Sequence, residues 1–164
     1  MKIFGFAGYS GAGKTTLIEQ LIPRFVMEGL RVSLIKHAHH GFDLDHPGKD
    51  SYRHREAGAT EVFLVSNQRW VLLHELRGQP EPPLEEQLAH MSPCDLVLVE
   101  GFKHTAIPKM EVHRVANGKP LIYPENFNIV ALASDIRLES PLPWLDLDDV
   151  DGIAAFILQH QDLK

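Results

Sequence analysis

Gly8, Gly13, Lys14 and Thr15 are the residues whose types and spacing most directly imply chemistry. They occupy the fixed positions of Gly-x-x-x-x-Gly-Lys-Ser/Thr in the run Gly8-Tyr9-Ser10-Gly11-Ala12-Gly13-Lys14-Thr15. Glycines let such a loop curl until successive backbone N–H groups point inward at phosphate oxygens. Ser10, Gly11, Ala12, Gly13, Lys14, Thr15 and Thr16 are therefore the expected nucleotide-binding residues. Lys14 is expected to reach the β- and γ-phosphates, as a catalytic cation, while the Thr15 hydroxyl ligates Mg²⁺. A helix opening at Lys14 would aim its positive end at the same anion. The plain alternative, a glycine-rich turn with no ligand, fits poorly between an apolar strand-like run (Met1 to Ala7) and a helical pattern.

A phosphate loop usually needs an acidic residue at the end of a neighbouring buried strand. Asp95-Leu96-Val97-Leu98-Val99-Glu100-Gly101 supplies one. A parallel strand over that apolar run would deliver Glu100 beside Thr15, to contact Mg²⁺ through water or to orient the attacking water. The competing reading of Glu100 is a solvated strand-end carboxylate.

Ten histidines are the compositional oddity, and four of them (His37, His39, His40 and His46) gather around Asp43 and Asp45. That spacing matches no closed zinc pattern and lacks a sulfur ligand, which argues against a transition-metal site. Asp45, or Asp43, is instead a candidate to hold Mg²⁺ or its waters. His37, His39 and His40 are candidates to contact phosphate, against the alternative of a polar mobile loop. Lys36 and Lys103 stand at or just beyond strand C-termini, where a lysine binds phosphate as a point charge. No second lysine lies among Tyr9, Ser10, Gly11 and Ala12, and the candidate arginine fingers are Arg53 and Arg55. Lacking an obvious activating cation, the site is expected to hydrolyse slowly.

The elements that must position these residues alternate. Leu17, Ile18, Leu21, Ile22, Phe25 and Val26 repeat at helical spacing from Lys14 toward Glu28, with Gly29 as the stop and Pro23 predicting a kink or break. Val32–Lys36 reads as a strand, Ser51–Ala57 as a short helix, and Val62–Val65 with Trp70–Leu73 as two strands across a Ser66-Asn67-Gln68 turn. Trp70 is assigned to packing or a subunit interface. A Pro- and Gly-rich loop (Gly78 to Pro83) leads to a helix over Leu84–His90. Leu96–Val99 and Ile129–Ala133 read as strands buried on both faces, Lys109–Val115 as a further strand, and Asp149–His160 as the last helix. The fold expected is α/β, one P-loop NTPase domain over residues 1–164 with a mainly parallel β-sheet and helices on both faces.

The chain has 164 residues, a formal net charge of −6, and one cysteine. That balance argues against a nucleic-acid surface, and a lone thiol suits a reducing cytoplasm. No apolar run reaches membrane-spanning length and none reads as a signal peptide, so no membrane partner is expected.

Several blocks together resemble one family. They are Gly8–Thr16, Leu34-Ile35-Lys36-His37-Ala38-His39-His40, Pro47–Ser51, Ser66–Trp70, Val99-Glu100-Gly101-Phe102-Lys103-His104 and Ala131-Leu132-Ala133-Ser134-Asp135. The Lys-His-x-His-His and Glu-Gly-Phe-Lys-His blocks carry the most specificity. The chain resembles the MobB family of molybdopterin-guanine dinucleotide biosynthesis adaptor proteins. The resemblance implies a homodimeric GTPase with slow turnover and Mg²⁺, partnered with the MobA guanylyltransferase that joins GMP to molybdopterin. It also implies pterin contact by His37, His39, His40 and Lys103. Ser134 and Asp135 become nucleotide-binding candidates, because a carboxylate beside guanine accepts from N1–H and the 2-amino group. Geometry alone leaves Asp135 open to a turn-initiating role. The alternative function is an ATP-dependent small-molecule kinase, although the candidate lid from Leu76 to Pro93 holds only Arg77.

Overall fold

The computed structural model describes residues 1–38 and 41–163. In chain order the elements are β1 (Lys2–Ala7), α1 (Lys14–Met27), β2 (Val32–Lys36), α2 (Asp50–Glu56), β3 (Glu61–Val65), β4 (Trp70–His74), α3 (Leu84–Ala89), β5 (Leu96–Glu100), β6 (Lys109–His113), β7 (Ile129–Ser134), β8 (Trp144–Asp146) and α4 (Val150–His160). Two compact units divide them: Met1–Ala38 with Ser92–Lys164, and His39–Met91.

The first unit is built on a six-stranded sheet in the order β2-β5-β1-β6-β7-β8, parallel at every pairing. The apolar strand runs dictate this. Leu96, Val97, Leu98 and Val99 have no exposed surface, and a strand buried on both faces belongs inside such a sheet. Phe4, Phe6, Leu96, Leu98, Met110, Val112, Ala131 and Ala133 share a core with Leu17, Ile18, Leu21 and Phe25 of α1 and Ile153 and Ile157 of α4. Each large apolar side chain so buried contributes about 1.5–3 kcal/mol. Elsewhere Ala7, Ile129 and Leu132 pack with Ile122, Tyr123, Leu138 and Leu142. The expected mainly parallel sheet flanked by helices is thus the observed one.

Helix α1 continues through Pro23, so the local break expected there does not occur. Proline forfeits one backbone bond and costs about 3 kcal/mol in a helix interior. Burial of Leu17, Ile18, Leu21 and Phe25 offsets that. The helix ends as Gly29 predicts: Gly29 N–H donates to Val26 O (3.0 Å) and Leu30 N–H to Phe25 O (3.1 Å), a left-handed glycine closure. Strand β6 stops at His113 rather than Val115, and β8 lies before the last helix where no strand is predicted. Three residues long, β8 is too short to announce itself by periodicity.

The second unit carries α2, α3 and an antiparallel hairpin in which Val65 pairs with Trp70 and Glu61 with His74. Ser66 Oγ accepts from the Gln68 and Arg69 amides and pins the turn. Trp70 is 59% exposed and stacks on Phe63 at 5.3 Å between ring centroids.

Candidate phosphate-binding site

The loop after β1 is shaped by three glycines with positive φ: Gly8 (148°), Gly11 (80°) and Gly13 (95°). Gly8 has no alternative, since a Cβ there would lie 2.4 Å from the Val112 carbonyl oxygen of β6. Gly13 caps α1, so the helix begins in the loop at Lys14. The Lys14 ammonium donates to the carbonyls of Gly8 (2.9 Å) and Tyr9 (3.0 Å). Burial holds its pKa below the usual lysine value, Glu100 pulls it back up, and repulsion from Lys103 and Lys36 pushes it further down.

Glu100 is the last residue of β5 and is buried. Its Oε1 accepts from the Thr15 hydroxyl at 2.7 Å. Parallel register sets Lys36 of β2 directly beside it. The Lys36 ammonium lies 3.4 Å from Glu100 Oε2 and 3.4 Å from Thr15 Oγ1. The end of β5 thus delivers Glu100 beside Thr15, as the apolar run ending there predicts. Hard oxygens from a hydroxyl and a carboxylate at one point suit Mg²⁺ with phosphate and water completing the shell. Among the described residues no three His, Cys, Asp or Glu side chains form a metal-ligand group.

Two of the histidine- and glycine-rich blocks adjoin one another at this end of the sheet. His37 N–H donates to Glu100 O (2.9 Å), and its ring meets Phe102 at 4.9 Å. Lys103 Nζ stands 4.3 Å from the Tyr9 ring centroid, which places it over the phosphate loop. Beneath, Lys109 is fully buried and donates to the carbonyls of Phe102 (2.9 Å), Lys103 (3.1 Å) and Thr105 (2.7 Å). Burial lowers its pKa to about 8. Asn126 adds a bond to Lys103 O. His39 and His40 lie outside the described residues.

At the other end of the loop stand two residues that sequence reasoning missed. Arg114 Nε is 3.2 Å from where a Cβ on Gly13 would lie, and Asn117 Nδ2 donates to Ser10 O (3.3 Å). The strand pairing of β6 with β1 carries both there. Their only sequence signal was position, just past the end of a strand adjoining the loop strand. Asp135 is placed with them: Oδ1 accepts from Val115 N–H (3.1 Å) and Oδ2 lies 3.9 Å from Arg114 Nη1. Ser134 is buried, its hydroxyl donating to Ile136 O and accepting from Trp144 Nε1.

Asp45 belongs to the second unit, where Arg55 claims it. Arg55 donates from Nε and Nη2 to Asp45, from Nη2 to Asp43 (2.9 Å) and from Nη1 to Glu75 (2.7 Å). The guanidinium beside Asp45 holds its carboxyl below the usual carboxylate range. Both the candidate metal ligand and the candidate arginine finger are thus committed to each other. Arg53 is exposed and pairs with Asp50.

No helix among the described residues is long and apolar enough to cross a membrane. The family model described as "Molybdopterin guanine dinucleotide synthesis protein B", MobB, matches residues 3–135. The molybdopterin-guanine dinucleotide biosynthesis adapter protein of Escherichia coli K12 is 42% identical over 160 residues, covering 96% of this chain and 91% of that protein. The adapter protein of Haemophilus influenzae is also 42% identical, over 94% of this chain and 86% of that one. A crystal structure of a MobB homolog from Bacillus stearothermophilus superposes with a TM-score of 0.74 at 26% identity, covering all of both chains. Matched across nearly its whole length in sequence and in fold, the chain belongs to the MobB family of molybdopterin-guanine dinucleotide biosynthesis proteins.

Proposed function

We propose that this chain is a GTP-binding adaptor with weak GTPase activity, acting in the cytoplasm in molybdopterin guanine dinucleotide synthesis beside a MobA-type guanylyltransferase. The observation that carries the nucleotide reading is the 2.7 Å hydrogen bond from Thr15 to Glu100 at the mouth of a phosphate loop. It joins a metal-binding hydroxyl to a buried carboxylate from a neighbouring strand, which is the pairing that Mg²⁺-nucleotide chemistry needs. Thr15 and Glu100 would hold Mg²⁺ directly or through water, and the ion would supply positive charge against that developing on the phosphates.

The chain's own residues do the rest. Amides from Ser10 to Thr16 hold the phosphates, with Lys14 released from the Gly8 and Tyr9 carbonyls onto the β- and γ-oxygens. Glu100 orients the attacking water or the metal's water. Asp135 accepts from the guanine edge, in a cluster that also holds Arg114 and the Val115 amide. His37 and Lys103, at the same end of the sheet as Glu100, contact the phosphate or pterin of the molybdopterin ligand; His39 and His40 are assigned with them from the sequence. Two copies associate, a reading supported by the exposed apolar hairpin residues Phe63, Val65 and Trp70.

The test is equilibrium binding of GTP and ATP to the wild type and to Lys14→Ala, followed by pull-down with the guanylyltransferase. GTP should bind in preference to ATP, Lys14→Ala should lose that binding while staying folded, and the transferase should be retained. Unchanged GTP affinity in folded Lys14→Ala rejects the loop assignment. Rapid ATP-dependent phosphorylation of a metabolite, with no transferase bound, establishes a kinase instead.

A further inference from the structure

The Thr15–Glu100 pair has a third member that the family match does not explain. Lys36 sits in Cα register with Glu100, and its ammonium is 3.4 Å from both Thr15 Oγ1 and Glu100 Oε2. An ammonium that close to both oxygens competes with any divalent ion that would share them at about 2.1 Å. A cation and Mg²⁺ so close repel through their like charge and compete for the same two oxygens. Yet the Lys36 side chain is 54% exposed, so its four-carbon stem is free to swing without disturbing the core.

A second observation says where it would swing. Three ammonium groups gather at the loop: Lys14 on the Gly8 and Tyr9 carbonyls, Lys36 beside Thr15 and Glu100, and Lys103 over the Tyr9 ring. A phosphate chain seated in the loop would attract all three. The loop has no internal second lysine, Arg55 is held by Asp43, Asp45 and Glu75, and Arg114 lies beside Gly13 near Asp135.

We propose that Lys36 is a catalytic cation that trades places with the metal. It shares the Thr15 and Glu100 oxygens, yields them to the divalent ion arriving with the nucleoside triphosphate, and moves onto the terminal phosphate. In hydrolysis a water oxygen bonds to the γ-phosphorus while the bond to the β–γ bridging oxygen breaks. The electron pair leaves with the diphosphate, the water's proton passes to phosphate or solvent, and Lys36 keeps its own proton throughout. Its role is to match charge that grows on the γ-oxygens in the transition state. This rests on the loop being a GTP site.

The experiment uses the full chain, a fluorescent non-hydrolysable GTP analogue and a fluorescent GDP with aluminium fluoride, with Lys36→Ala and Lys36→Arg as variants. Lys36→Ala should ease the Mg²⁺ requirement while weakening the transition-state complex. In Lys36→Ala the Mg²⁺ concentration needed for half-maximal analogue binding should fall by roughly threefold or more, since a competing cation is gone. Affinity for the GDP–aluminium fluoride complex should fall by about 10²-fold, the usual cost of removing one preorganised transition-state contact. Lys36→Arg should recover part of the second effect. An unchanged Mg²⁺ requirement, or an unchanged aluminium fluoride complex, overturns the proposal. So does an equal loss for GDP, the GTP analogue and the aluminium fluoride complex, which would make Lys36 a general anion contact. Failure of the wild type to bind any nucleotide would instead reject the GTP-site reading itself.

Discussion

A side chain on Gly101 would begin 2.9 Å from the Cβ of His37, so the residue after Glu100 and the residue after Lys36 are in closest contact. Gly101 also has a φ of 101°, a region L-residues rarely enter. Gly101→Ala should therefore combine strain with a collision against His37 and destabilise the fold by about 1–3 kcal/mol. Denaturant unfolding measures this. A variant as stable as the wild type would show that the two blocks move apart freely.

Base choice should separate from phosphate binding. Asp135→Asn is expected to narrow the preference for GTP over ATP by about 1.5–3 kcal/mol, the worth of a hydrogen bond to a charged acceptor. Arg114→Ala, beside Gly13, should weaken both nucleotides alike. Calorimetry with each nucleotide on each variant checks the pair. Equal GTP and ATP affinity in the wild type would remove the premise.

Much of this site was legible in the sequence because its parts are local or lie at strand ends. The phosphate loop is contiguous, and the apolar run ending at Glu100 announces a buried strand and its terminal carboxylate together. Arg114 and Asn117 were not legible, because only the pairing of β6 with β1 brings them to the loop. The partner of Asp45 was hidden for a related reason. A carboxylate in a histidine-rich loop looks like a ligand until Arg55, ten residues on, is seen to satisfy it. The order of the sheet likewise depends on which strands neighbour one another, which periodicity within a strand does not reveal.

Asp45 yields a pH-dependent test. Its folded pKa is depressed by Arg55, so the folded chain binds fewer protons there than the unfolded chain. The stability it contributes is complete above the unfolded carboxylate value of about 4 and is lost as pH falls through the lower folded value. Asp45→Asn should thus lower Tm at neutral pH, with the gap to wild type closing in acid. GTP turnover per folded molecule should stay near wild type. A gap independent of pH would contradict the ion-pair account.

The hairpin gives a test of assembly. Phe63 and Trp70 stack on one another, yet are 57% and 59% exposed. Paired aromatic surface of that kind is open to a second copy of the chain. Replacing Phe63 with Asp and Trp70 with Lys should shift sedimentation from dimer to monomer without unfolding the chain. A wild type that is monomeric at micromolar concentration would reject the assignment.

Lys109 resembles a structural potassium ion on a leash. Three backbone carbonyls turn toward one buried ammonium, and the loop that carries Lys103 takes its shape around that point charge. Burial lowers the ammonium's pKa to about 8. The folded chain therefore sheds this proton before the unfolded chain does, and the charge is a standing electrostatic load below pH 8 that fades toward the ordinary lysine value. At neutral pH the fold accepts the load and keeps the loop coordinated. A methionine of similar length would lift the load and leave the three carbonyls with nothing to face.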